Sequence, residues 1–128
     1  YVTSSTGDAD LFVLLEEVYP DGRSRYVTEG VLRASHRALG DAPWDNLGLP
    51  FQPSREADLA PLPEGEPAGI VMDLHPTSTV FNAGNRIRVT VMGADRDNAE
   101  EFHDPPPTLR VYHTDAHPSG IDLPIAPG

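Results

Sequence analysis

The chain has no cysteine in its 128 residues, which excludes disulfide frameworks, thiolate-bound zinc and thiol nucleophiles together. That absence is compatible with either redox environment, so it leaves the compartment open. Positive charge is also scarce. Nine basic residues, all arginine, stand against 20 Asp and Glu, for a formal net charge of −11. Phosphate backbones and anionic lipid reward the opposite sign, so neither nucleic acid nor a membrane surface is expected as a partner. The longest apolar run is far below the roughly 18 residues of a membrane span, and no basic segment leads into an apolar one. The chain opens mid-pattern on YVTSST rather than on methionine and reads as a piece of a longer polypeptide.

What the chain has in quantity is punctuation. Fourteen prolines and 11 glycines break it into short elements. DLFVLLEEVYP (10–20) reads as a strand, and Pro20-Asp21-Gly22 supplies a preset φ, a side-chain acceptor and a residue free to take φ > 0. RSRYVTEGVLRASHR (23–37) is the returning strand, with Gly30 marking a bulge or a close approach. A helix from Ala9 to Val18 is the competing reading, and the Pro-Asp-Gly stop favours the hairpin.

Residues 38–67 have no steady period and many prolines, the pattern of a crossover loop. Trp44, Leu47, Leu49 and Phe51 are expected to anchor it apolar side down. Ile70, Met72 and Leu74 alternate with Val71 and Asp73, predicting a strand that ends at His75-Pro76. Asn82-Ala83-Gly84-Asn85 is a turn. Ile87, Val89 and Val91 then alternate with Arg86, Arg88 and Thr90, predicting a strand with its aliphatic face in the core. After an acidic, Pro-rich loop (94–107), TLRVYH (108–113) and IDLPIA (121–126) predict a closing hairpin. Short strands, polar turns and long crossovers imply an all-β, antiparallel sandwich of the jelly-roll kind.

Candidate chemistry is thin. No Gly-x-Ser-x-Gly occurs, so the nucleophile elbow of an α/β hydrolase is missing. Ser119, His117 and Asp115 fall within five residues of one turn, whereas a triad orients its base from a separate element. Asp95, Asp97, Asn98, Glu100 and Glu101 offer hard oxygen ligands. Ala99, however, takes a ligand position of the EF-hand pattern and its glycine is missing, so a solvated acidic loop is preferred to a calcium site. His113 and His117 sit on a strand end and its turn, a poor zinc arrangement. No catalytic, cofactor-binding or metal-binding residue is therefore assigned, and no cofactor. Sugar binding is the bottom-up rival: Trp44, Tyr26, Tyr112, Phe51 and Phe102 could form an aromatic platform for a free-standing carbohydrate-binding module.

Three ordered segments carry a resemblance. Asp10 to Gly22 with Val27 to Ala34, then IVMDLHPTSTVFNAGNRIRVTV, then DPPPTLRVYHTDAHPSGIDLPI resemble the C-terminal domain of the X-Pro dipeptidyl-peptidase and cocaine-esterase family of serine hydrolases. Together they cover nearly the whole chain. Asn85 stands where that family usually has His, and the Asn-Pro-Asn-Thr-Gly segment of cocaine-esterase-like members is replaced by GADRDNAEEFHDPPP.

The resemblance implies a galactose-binding-like jelly roll spanning 1–128, non-catalytic, packed on an α/β-hydrolase domain of the same bacterial, cytoplasmic protein. That domain carries the whole Ser-Asp-His triad. The resemblance implies further that the β domain covers the hydrolase body, supports the substrate pocket and contributes to a homodimer. In the resembled family the sandwich begins with strands before the YVTSST position, so the jelly roll here is expected to lack its first strands and to recruit another through backbone hydrogen bonds beside Phe12, Val13 or Val89.

Overall fold

The computed structural model describes residues 1–126. The described residues are all-β, with five strands in two antiparallel sheets and two single 3₁₀ turns. Strand β1 (Val2–Ser4) pairs with β5 (Leu109–Val111), while β2 (Asp10–Val18) lies between β3 (Ser24–Arg33) and β4 (Arg86–Met92). This is part of a β-sandwich.

The β2–β3 hairpin forms where the sequence places it. Gly22 takes φ 89°, its N–H reaches the Tyr19 carbonyl at 3.0 Å, and Asp21 accepts from the Arg23 N–H at 3.0 Å. The hairpin is regular until Leu15 pairs with Thr28 and Glu16 with Tyr26, which leaves Val27 as a bulge. Gly30 marks the close approach instead: a β-carbon there would lie 2.3 Å from the Asp73 carbonyl oxygen. Only a residue without a side chain lets the 70–75 segment cross the sheet at that point.

That segment is extended but has no ladder of its own, which corrects the expected strand at 70–74. It is held by the His75 N–H on the Glu29 carbonyl (2.8 Å) and by the Thr28 hydroxyl on the His75 carbonyl (2.7 Å). Its apolar alternation is used in lying over a face rather than in extending an edge. The closing hairpin shortens similarly: beyond β5 only His113 and Pro118 form a bridge, and 121–126 is not a strand.

Leu11 pairs with Leu32 and Leu15 with Thr28, so these four buried side chains share one face. Ala34, Leu62 and Ala68 form the apolar centre beside it, with Ile70 packed on them. Asp8 fastens this corner: its carboxylate accepts from the Ser35 N–H (2.8 Å), the Ser35 hydroxyl (2.7 Å) and the Ala9 N–H (2.9 Å). Arg37 donates to the carbonyls of Ala34, Ala60 and Pro61, satisfying backbone acceptors that the Pro-rich stretch leaves unpaired.

Candidate functional site

Two neighbouring carboxylates interrupt the aliphatic run of β2. Glu16 and Glu17 point to opposite faces, because successive side chains of a strand alternate. Glu16 sits directly across from Arg88 of β4. The guanidinium donates to both of its oxygens, at 2.8 and 2.7 Å, and the Thr90 hydroxyl adds a third bond at 2.6 Å. Arg88, then Thr90, hold the Glu16 carboxyl down to about 2.

Glu17 is fully buried. One oxygen accepts from the Asn82 N–H (2.7 Å), the Asn82 side-chain amide (3.0 Å) and the Asn85 amide (2.7 Å). The other accepts from Arg25 of β3 at 3.0 and 2.7 Å. The Asn82 N–H is the largest cause of its low pKa, followed by Asn85 and Arg25, and together they bring it to about 2. A single carboxylate thus ties β2, β3 and the turn that starts β4. Asn85 has a defined place as one of its donors. Gly84 completes the turn with φ 88° in open space.

These bonds fasten β4 without burying it. Ile87, Val89 and Val91 lie on one face, as the alternation predicts, but they are 49, 39 and 39% exposed. The expected core placement is therefore corrected: the described residues leave that face of β4 half-exposed. Of the three positions expected beside a recruited strand, only Val89 lies on a strand that ends its sheet. β2 is paired on both sides, so Phe12 and Val13 offer no free edge, whereas β4 ends its sheet. An edge strand with an aliphatic face is a template for another strand.

The other sequence candidates do not converge. His117 packs edge-on against Tyr1 and Tyr112, with ring centroids 5.3 and 5.8 Å away, and no hydrogen bond among the described residues joins the Ser119, His117 and Asp115 side chains. His113 meets the Ser119 carbonyl through Nδ1 at 3.0 Å. In the acidic loop Asp95 accepts from Asn98 and Glu101 from Arg96, and among the described residues no three His, Asp or Glu side chains gather as a metal-holding group.

Of the five proposed platform aromatics, only Trp44 and Phe51 meet, at 5.2 Å and an interplanar angle of 77°. Phe102 instead stacks on the Arg33 guanidinium, 4.9 Å away. Trp44, Leu47 and Leu49 stand exposed, which corrects the expectation that they anchor the loop apolar side down. Sequence reading passed over Glu16 and Glu17. Their signal was two acids inside a strand whose expected neighbour carries arginine at alternate positions.

The described residues form an all-β body with a buried carboxylate knot and a half-exposed aliphatic edge strand. The chain belongs to the X-Pro dipeptidyl-peptidase C-terminal non-catalytic domain family, whose model matches residues 1–120. Proteins of Mycobacterium bovis and Mycobacterium tuberculosis, each named as a candidate serine esterase, are 43% identical to it over 126 residues. The cocaine esterase of a Rhodococcus species is 28% identical over 140 residues. Each alignment covers 98% of this chain but only 20 to 21% of the relative, so the chain spans about a fifth of their length. No solved structure matches.

Proposed function

We propose that this domain is the non-catalytic C-terminal jelly roll, galactose-binding-like in fold, of a serine hydrolase acting on esters, amides or X-Pro peptide bonds. It covers the α/β-hydrolase domain of the same protein and supports the substrate pocket. The family match over residues 1–120, to a domain described as non-catalytic, carries this reading. The open β4 edge supports it physically, because a strand from the rest of the polypeptide would pair with β4 and flank Ile87, Val89 and Val91. No residue of the chain takes a catalytic, cofactor or metal role in this reading.

One observation favours a homodimer contact as a second use of the same edge. Antiparallel pairing of β4 with its copy, centred on Val89, sets Ile87 opposite Val91, Arg88 opposite Thr90 and Arg86 opposite Met92. Aliphatics meet aliphatics and no two arginines face each other, which suits an isologous interface.

The test compares this chain with the longer polypeptide on p-nitrophenyl butyrate and Ala-Pro-p-nitroanilide. The chain alone is expected to turn over neither, while the longer protein hydrolyses at least one and loses that activity to a serine-directed phosphonate. Val89→Lys in the longer protein should lower its melting temperature. Phosphonate-sensitive turnover by the chain alone would refute the non-catalytic assignment.

A further inference from the structure

Residues 44–47 and 49–52 together with Asp73 line an open cleft of about 420 Å³. Its volume lies within the range of about 300–1,000 Å³ typical of small-ligand pockets. Trp44, 61% exposed, and Phe51 meet at 77° and form two inclined walls rather than a flat platform for a sugar face. Asp45 and Asp73 also line the cleft, and no arginine does. Asp45 gives one oxygen to the Leu47 N–H, and the half-buried Asp73 carboxylate has no cation or hydrogen-bond donor among the described residues.

The loop is held in a costly conformation. Leu47 has φ 59° and is 85% exposed, and Ser54 has φ 53°. A left-handed backbone at two residues other than glycine is strained, and exposing a leucine there recovers none of that cost. The Asn46 side chain, donating to the Leu49 carbonyl at 2.5 Å and accepting from Gly48, holds the tip in that shape. Gln52 pins the other end to the Val71 carbonyl at 2.7 Å. The cleft is thus a fixed concavity with aromatic walls, negative charge and no internal counter-ion.

We propose that the Trp44–Phe51 cleft is a binding site for a guanidinium group. A planar cation stacks on the Trp44 indole while its N–H groups reach the Asp73 carboxylate, with Asp45 adding long-range attraction. A guanidinium suits the site better than an ammonium because it is more weakly hydrated and satisfies a ring face and a carboxylate at once. The group arrives either as a free ligand or as an arginine on another polypeptide. The inference does not depend on the proposed hydrolase role.

The experiment uses the full-length polypeptide that carries this domain, labelled with 5-fluorotryptophan, with the Trp44 resonance assigned by its loss in Trp44→Phe. N-acetyl-L-argininamide should shift that resonance saturably at low-millimolar concentration, a range of about 1 mM set by one partly solvated cation–π contact with one ion pair. The neutral isostere N-acetyl-L-citrullinamide should not. Asp73→Asn should weaken binding about tenfold while leaving the unliganded Trp44 resonance in place, which separates lost charge from lost fold. Tighter binding of acetyl-Gly-Arg-Gly-amide than of the single residue assigns the group to a polypeptide, and equal binding assigns it to a free ligand. Equal shifts with the arginine and citrulline probes, or none up to about 50 mM, a concentration worth less than 2 kcal/mol of binding, overturn the site.

Discussion

Replacing Gly30 with alanine adds one methyl group at the tightest point of the molecule. The new β-carbon would lie 2.3 Å from the Asp73 carbonyl oxygen, with Leu74 Cδ2 at 3.0 Å and Met72 Cε at 3.1 Å. Side-chain ends can rotate away, but the carbonyl moves only with its backbone, and ordinary contact requires about 1 Å of displacement. Such a shift strains the His75 N–H bond to Glu29 and the Thr28 hydroxyl bond to His75.

Losing both bonds costs about 1 kcal/mol each, and overpacking adds about 1–3 kcal/mol. Alanine's smaller unfolded-state entropy returns about 0.4–1 kcal/mol. The net expectation is about 2–4 kcal/mol of destabilisation. Urea unfolding followed by circular dichroism should then show the midpoint falling by about 1–2 M at ordinary m-values. Gly120→Ala is the control, since nothing lies within 4 Å of that position and its φ is not left-handed. If the two variants melt within about 0.5 kcal/mol of each other, which is the usual spread of harmless surface changes, the 70–75 segment does not cross β3 at Gly30 and the reasoning fails.

Gly84→Val should cost about 1–2 kcal/mol in the same melts through φ 88° alone, whereas Gly84→Asn should cost much less, since asparagine tolerates the left-handed region. Ile87→Ala, at a half-exposed position, should cost less than about 1 kcal/mol against about 2–5 kcal/mol for buried Leu15→Ala, and equal losses would return Ile87 to the core. Glu16 and Glu17 titrate near 2 when folded against an ordinary value of 4.5. The stability they contribute is therefore full above about pH 4.5 and drains away as pH falls toward 2. Melting temperatures measured across that interval should drop steeply in the parent and more gently in Glu17→Gln, and parallel curves would contradict the assignment.

Much of the fold was legible where local chemistry decides the outcome. Pro20-Asp21-Gly22 and Gly84 specify their turns almost alone, and the β2–β3 hairpin follows from the first of them. The strand expected at 70–74 failed for a different reason. Alternation at Ile70, Met72 and Leu74 reports which side chains are apolar, not whether a neighbouring backbone offers a ladder. Gly30 draws the segment across the face of β3, so no ladder forms. Ile87, Val89 and Val91 illustrate the same limit from the other side. Their shared face was readable from the period, but burial requires a covering layer that no periodicity within the strand can reveal. Trp44 was assigned an anchoring role because large aromatics are usually buried, yet a Pro-rich loop with two left-handed residues turns it outward.

The paired glutamates explain how an edge strand can stay ordered with its aliphatic face half-exposed. A strand held only by apolar packing would loosen wherever that packing was absent. β4 is instead fastened to β2 on its polar face by Glu16 with Arg88 and Thr90, and at its start by Glu17 with Asn82 and Asn85. The Glu16 tie and the exposed aliphatic side chains thereby lie on opposite faces of one strand. A partner that covers Ile87, Val89 and Val91 would meet a surface already set in register, with no ordering of β4 left to subtract from the binding free energy. The same arrangement makes the interface sensitive to acid from within. Protonating Glu16 removes the charge that Arg88 pairs with, loosens the side-chain tie that reinforces the β2–β4 ladder, and so weakens contact with a partner on the opposite face.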